Sequence, residues 1–270
     1  MAALIAALPT QALFGCAFVS ETTMAAIVEV LLADGSARST GWRSVVTPNV
    51  DHLVRYEHDE RAADVARQAS LTLPDGMPIV WASRLLRRPL ARRLAGSDLF
   101  AELWPVLAQR SIPCVVVAAT TEVADGLRAE HPDLRVLVPP QFSVSDDDVV
   151  ERLVEDIVAQ CADVGARFLF VGLSMPKHHL LASRLAERWS NPTQASPVVL
   201  LVGAATDFYL GVAVRAPQWM QRAGLEWAHR LARDPRRMVR RYLVDDLRFA
   251  GIVWREWRRL PPEPPSRRGQ

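Results

Sequence analysis

Four loops of this chain carry side chains able to do chemistry, and each directly follows a short apolar run. In VVTPNVDHL, Thr47 and Asn49 flank Pro48, which fixes the backbone between two hydrogen-bonding groups; a capped strand-to-helix turn is the plain reading of that stretch alone. LPDGMPIVWASRLL sets Asp75 between a proline and a glycine, with Leu73, Met77 and Trp81 near it to limit water. PDG is an ordinary turn sequence, so Asp75 by itself reads as a turn or capping residue. A carboxylate so placed can instead act as a general base. In the RRLAGSDLF that follows, Arg93 can hold a phosphate or pair with a carboxylate, and Ser97 and Asp98 are expected to cap a helix. FVGLSMPKHHLLA runs through Gly172 and Ser174 into a helix near Lys177, and small residues at a helix N-terminus suit an anion, although the loop is neither a Walker loop nor GxGxxG. LLVGAATDFYLG puts Asp207 after a strand, as a helix cap or as a ligand of a ribose hydroxyl.

Two metal-like patterns are set aside. His178 and His179 are adjacent, so on a helix they are expected to point in different directions, and no third ligand is evident. Asp146, Asp147 and Asp148 resemble the Asp-x-Asp of Mn²⁺-dependent glycosyltransferases, but they follow Ser145 at a helix start and read as capping and dipole-compensating residues. No metal is expected.

The elements that must position these loops alternate between short β-branched runs and helical patterns. That alternation predicts an α/β fold: a Rossmann-like parallel sheet with helices on both faces. Strands are expected at residues 44–47, 114–118, 135–138, 168–171 and 198–202. Helices are expected at about 21–33, 60–70, 78–86, 99–110, 123–130, 147–164 and 177–189. In such sheets ligands bind beyond the carboxyl ends of the strands, where the four loops lie. After Gly211 the pattern becomes rich in Arg and Trp, so residues 1–211 read as the α/β domain, 212–258 as a C-terminal helical appendage and 259–270 as a disordered tail.

Composition narrows the classes. With 50% apolar residues in 270, the chain can bury a sizeable core. Cys16, Cys114 and Cys161 are isolated, which fits a reducing compartment better than a disulfide framework. The opening MAALIAALPTQALFG lacks a basic leader, carries Pro9 and is too short to span a bilayer, so neither signal peptide nor anchor is expected. Net charge is only +2, yet arginines crowd the C-terminal part, which calls for an anionic partner. Trp219, Trp227, Trp254 and Trp257 among them suit a helix lying on a membrane surface better than a nucleic-acid interface.

TPN, LPDG with its apolar helix, RLAGSDL, VGLSMPK, VGAATDF and RAPQWMQRAGLEWAHRLARDPRRMVRRYL together closely resemble the WecG/TagA/CpsF family of bacterial glycosyltransferases (glycosyltransferase family 26). Order and approximate spacing agree from about Thr47 to Leu243, and the C-terminal block is the most specific part. The resemblance implies an inverting, metal-independent transferase that needs no cofactor. It would move N-acetylmannosamine, its uronate or a related hexose from a UDP-sugar to an undecaprenyl-diphosphate-linked glycan acceptor. The setting implied is cell-surface or exopolysaccharide biosynthesis, at the inner face of the cytoplasmic membrane. Carried over by position, Asp75 matches the catalytic base, and Thr47, Asn49 and Arg93 match polar residues of the same pocket. Asp207 matches a nucleotide-contacting acid, and Arg230, Arg237 and Arg240 match arginines that close over the site. Their spacing of seven and three residues puts them on one helical face unless Pro235 interrupts it. One departure stands out: where the family commonly reads PKQE, this chain has Pro176, Lys177, His178 and His179. The substrate-contacting Gln position is therefore His178, whose ring can still donate a hydrogen bond. Two other classes stay open on the sequence: a Rossmann-type oxidoreductase, against which the missing GxGxxG argues, and a non-catalytic nucleotide-sugar-binding or scaffold subunit of a polysaccharide assembly complex. The oligomeric state is open, a homo-oligomer included.

Overall fold

The computed structural model describes residues 7–36, 41–191, 194–214 and 247–260, with scattered positions between 216 and 232. Its frame is one eight-stranded sheet in the order β1-β2-β4-β3-β8-β7-β5-β6. The strands are β1 (Thr10–Leu13), β2 (Cys16–Val19), β3 (Ser44–Val46), β4 (Leu71–Thr72), β5 (Cys114–Val117), β6 (Arg135–Leu137), β7 (Phe168–Val171) and β8 (Val198–Leu201). Only β1 and β2 pair antiparallel; every other neighbouring pair is parallel. The helices are α1 (Met24–Ser36), α2 (Val50–Tyr56), α3 (Glu60–Arg67), α4 (Met77–Leu85), α5 (Gly96–Gln109), α6 (Thr121–Glu130), α7 (Asp147–Val164), α8 (Lys177–Arg188), α9 (Ala205–Tyr209) and α10 (Leu247–Arg258).

The central strands β5, β7 and β8 are apolar and buried at every position because both faces of the sheet are covered there. Successive side chains alternate between two separate cores. Val116, Phe168, Phe170, Val198 and Leu200 pack with Ile27, Leu103 and Val123, so α1, α5 and α6 cover one face. Val115, Val117, Leu169, Val171, Val199 and Leu201 pack with Val154, Ile157 and Leu181, so α7 and α8 cover the other. A third cluster joins the hairpin residues Leu13, Phe14 and Phe18 to Leu53, Ile79, Phe249 and Ile252.

All five expected strands are present, and so is the expected two-faced architecture. The hairpin, β4, α2 and α9 are additional to the expected elements. The hairpin turn consists of Phe14 (φ 53°) and Gly15 (φ 74°), a two-residue loop in the left-handed region that suits the twist of paired strands. Only the glycine is ordinary there; Phe14 is held by packing against Phe249, ring centroids 5.5 Å apart. β4 has two residues and α2 and α9 have seven and five, too short to show a period. Two capping expectations change. α5 begins at Gly96 after Ala95 with no side-chain cap, so Ser97 and Asp98 lie inside the first turn. α7 begins at Asp147 after Asp146, which accepts from the Ser143 N–H at 2.5 Å rather than from the helix. Of the expected appendage, α10 is described; Arg230, Arg237, Arg240, Trp219 and Trp227 lie outside the described residues.

Candidate active site

The order β4-β3-β8-β7 sets four strand ends side by side, and the loops that leave them enclose a cavity of about 270 Å³. Thr47 and Asn49 come from the stretch after β3, Asp75 from that after β4, Ser174, Met175 and His178 from that after β7, and the segment Val202–Ala205 with Phe208 from that after β8; Arg93 and Ser97 add to the wall.

Main-chain bonds stitch the first two loops together. Leu73 N–H donates to the Val46 carbonyl at 2.9 Å, Asp75 N–H to the Pro48 carbonyl at 3.0 Å, and Leu94 N–H to the Pro74 carbonyl at 2.9 Å. Asp75 is therefore anchored through its backbone and lines the cavity. It is not the cap of α4: that place belongs to Gly76, at φ 149° where a side chain would be strained, and no side chain caps the helix.

Asn49 is a cap. Its Oδ1 accepts the His52 N–H at 3.2 Å, while His52 Nδ1 accepts the Asn49 N–H at 3.4 Å, a reciprocal capping box with histidine in the usual Glu/Gln position. His52 and Asp51, which also line the cavity, were not foreseen. The Asn-x-x-His spacing directly after a strand was the signal for His52. Arg93, 14% exposed, donates to Asp98 Oδ2 at 2.9 Å, so of its two expected roles the structure displays the carboxylate pairing. Thr47 is nearly buried, with Gly96 pressed against it: a Cβ on Gly96 would lie 2.8 Å from Thr47 Oγ1. Gly96→Ala is expected to cost about 1–3 kcal/mol through this overlap and to displace Thr47. Urea unfolding together with kcat/KM checks it; a variant equal to wild type in both refutes the tight fit.

His178 and His179 do not diverge as expected. Both are buried, their ring centroids are 4.4 Å apart, and His52 meets them edge-on at 5.6 and 5.7 Å. The helix start is covered on several sides, so adjacent positions can both be interior. His179 Nε2 pairs with the Tyr56 hydroxyl at 2.9 Å, and burial pushes its pKa well down. His178 Nδ1 lies 2.6 Å from the Leu173 carbonyl oxygen, and burial lowers its pKa to about 4. The expectation that His178 donates into the site is corrected: its one N–H points at Leu173. Among the described residues no cluster of three His, Cys, Asp or Glu side chains is arranged to hold a metal ion.

The remaining sequence candidates sit apart from the cavity wall. Gly172 lies where a Cβ would come 3.0 Å from the Val117 carbonyl oxygen and 3.1 Å from Thr206 Oγ1, which is close packing behind the site. Lys177 Nζ stands 4.4 Å over the Phe142 ring and is not among the residues that line the cavity. Asp207 is half-buried on α9, next to Phe208; Thr206 Oγ1 donates to it at 3.2 Å, and burial raises its pKa above the usual carboxylate value.

Residues 11–262 match the family described as Glycosyl transferase WecG/TagA/CpsF family. The chain is 29% identical over 201 residues, 73% of each protein, to an N-acetylglucosaminyldiphosphoundecaprenol N-acetyl-beta-D-mannosaminyltransferase of Bacillus subtilis (strain 168). To the protein of the same name in Staphylococcus aureus (strain MRSA252) it is 26% identical over 227 residues, 81% of this chain and 83% of that one. With a family match over nearly its whole length and a cavity at the carboxyl ends of a parallel sheet, this chain belongs to the WecG/TagA/CpsF family of glycosyltransferases.

Proposed function

We propose that this enzyme transfers N-acetylmannosamine, its uronate or a related hexose from a UDP-sugar to an undecaprenyl-diphosphate-linked glycan, with inversion and without a metal. The observation that carries the reading is the placement of Asp75, fixed by its main chain at a cavity shared with Thr47, Asn49 and Arg93. The names of the similar proteins supply the sugar and the lipid carrier.

In this mechanism an acceptor hydroxyl attacks the anomeric carbon opposite the leaving group. The new C–O bond forms as the bond from the anomeric carbon to the diphosphate oxygen breaks. Asp75 takes the hydroxyl proton, and UDP leaves with the bonding electron pair. Negative charge grows on the diphosphate, and fixed cations and oriented N–H groups at that place lower the barrier. Arg230, Arg237 and Arg240 are the cations assigned to this task. Gly172, Lys177 and Asp207 act, in this reading, from behind the cavity wall rather than from within it.

Residues 1–211 form the catalytic domain in this reading, and 212–258 an appendage that completes the site and rests on the inner face of the cytoplasmic membrane. No helix among the described residues is long and apolar enough to cross a bilayer. α10 instead buries Phe249 and Ile252 while exposing Leu247 (70%), Trp254 (56%) and Trp257 (45%). The two tryptophans are stacked, centroids 5.1 Å apart, with Arg255 and Arg258 in the last turn. Tryptophan favours the headgroup level, and each basic residue near an anionic leaflet contributes about 1 kcal/mol. The double variant Trp254→Ala, Trp257→Ala is expected to lose most cosedimentation with phosphatidylglycerol vesicles while keeping its circular dichroism. Full retention on the vesicles would remove α10 from the membrane contact.

The reading as a whole is tested by incubating the protein with radiolabelled UDP-N-acetylmannosamine and a short-chain prenyl-diphosphate-linked N-acetylglucosamine. Label is expected in the lipid fraction, without added metal and in the presence of EDTA. Binding of UDP with no transfer to any lipid-linked acceptor would favour a non-catalytic subunit.

A further inference from the structure

One group in the cavity has its hydrogen-bonding sense set by the fold before any ligand arrives. His178 is 3% exposed, and Nδ1 is 2.6 Å from the Leu173 carbonyl oxygen. A carbonyl only accepts, so Nδ1 carries the hydrogen. Burial holds the ring's pKa at about 4, so at neutral pH the imidazole is uncharged and Nε2 keeps a lone pair with no hydrogen. Turning the ring over would break the Leu173 bond and disturb the two imidazoles packed on it, His52 at 5.6 Å and His179 at 4.4 Å. His52 is itself oriented by the Asn49 N–H, and His179 by Tyr56.

We propose that His178 is a polarity filter: in the cavity it accepts and cannot donate, so the substrate group seated against it is a hydroxyl or an acetamido N–H, never a carbonyl, phosphoryl or ring oxygen. This rests on the transferase reading and deepens it by naming the kind of sugar group recognised. An amide side chain has no such bias, since glutamine offers both N–H and C=O and rotates to suit either partner. The donor sugar and the acceptor sugar both carry groups of this kind; the chemistry is the same, and two probe sets distinguish them.

The full-length protein is compared with His178→Gln on two probe sets. The first is UDP-N-acetylmannosamine with a single hydroxyl at C3, C4 or C6 replaced by fluorine, or with the acetamido N–H replaced by an ester oxygen. The second is short-chain prenyl-diphosphate-linked N-acetylglucosamine changed in the same way at its non-reacting positions. Each change removes a hydrogen-bond donor at nearly constant size. At one position wild type is expected to lose about tenfold in KM with kcat nearly unchanged, whereas His178→Gln loses less than about twofold there. The probe set containing that position identifies donor or acceptor. Equal losses in both proteins at every position overturn the filter while leaving the transferase intact. Absence of binding and turnover with unmodified UDP-N-acetylmannosamine overturns the transferase reading and the filter with it. Circular dichroism establishes that His178→Gln folds; if it does not, His178→Asn is scored by the same comparison.

Discussion

Asp75→Asn is expected to reduce turnover by about 10² to 10⁴, the range a single positioned base contributes, while leaving the melting temperature within about 2 °C of wild type. The separation of the two effects follows from how the residue is held. Its anchoring bond is made by its main-chain N–H to the Pro48 carbonyl, and the neighbouring bonds of Leu73 and Leu94 are also main-chain. Asparagine keeps all of them and nearly keeps the shape of the side chain, while it replaces a carboxylate that can take up a proton by a neutral amide that cannot. Gly76, whose backbone conformation makes the turn, is untouched. Single-turnover transfer of radiolabelled sugar, with KM for both substrates, is the measurement. Loss of kcat with nearly constant KM is the signature of a group acting in the transition state. A variant within about tenfold of wild-type kcat would remove Asp75 from proton transfer.

Trp104→Ala is expected to have the largest effect on stability, about 3–5 kcal/mol, a large part of the total for a domain of this kind. Trp104 is fully buried, stacked on Phe100 at 5.3 Å and edge-on to Phe170 at 6.0 Å. Its indole N–H donates to Glu130 Oε2 at 2.9 Å, and the Tyr209 hydroxyl donates to the same oxygen at 3.0 Å. The substitution leaves a cavity between α5 and the sheet and takes one of two donors from a carboxylate. Tyr209 also packs on Phe100, centroids 5.4 Å apart, and is the residue after Phe208 in the cavity wall. A rise in KM is therefore expected alongside the lower urea midpoint. A cost under about 1 kcal/mol would mean that the surrounding aromatics collapse into the space, the alternative that cavity-forming substitutions allow.

How much of this was legible in the sequence depends on what each signal measures. The five expected strands were visible as short β-branched or apolar runs, clearest in β5, β7 and β8, which are buried throughout, and the strand-end rule then placed Thr47, Asn49, Asp75, Ser174 and His178 at one end of the sheet, where the cavity lies. The hairpin was hidden because its turn uses Phe14 where Asn or Asp is the usual sign. His52 was hidden because a capping box is read by Glu or Gln at its fourth place. Gly172, Lys177 and Asp207 belong to the right loops, but a loop position does not say on which side of the strand end a side chain emerges. The arrangement of His178 and His179 depended on how much of the α8 start is covered, a tertiary fact that adjacency in sequence does not carry.

The pairing of β3 with β8, Ser44 with Val199 through Val46 with Leu201, joins segments separated by most of the chain. On the ribosome, the strand that bears Thr47 is made early and waits for its neighbour until nearly all of the sheet has been synthesised. Until then β3 and β7 each lack a partner on the side that β8 will fill, and such open edges invite pairing with other chains. A nascent or prematurely terminated product ending before Val198 therefore lacks the complete cavity, because the loops after β3 and β4 meet the loop after β7 only through the last strand to be made.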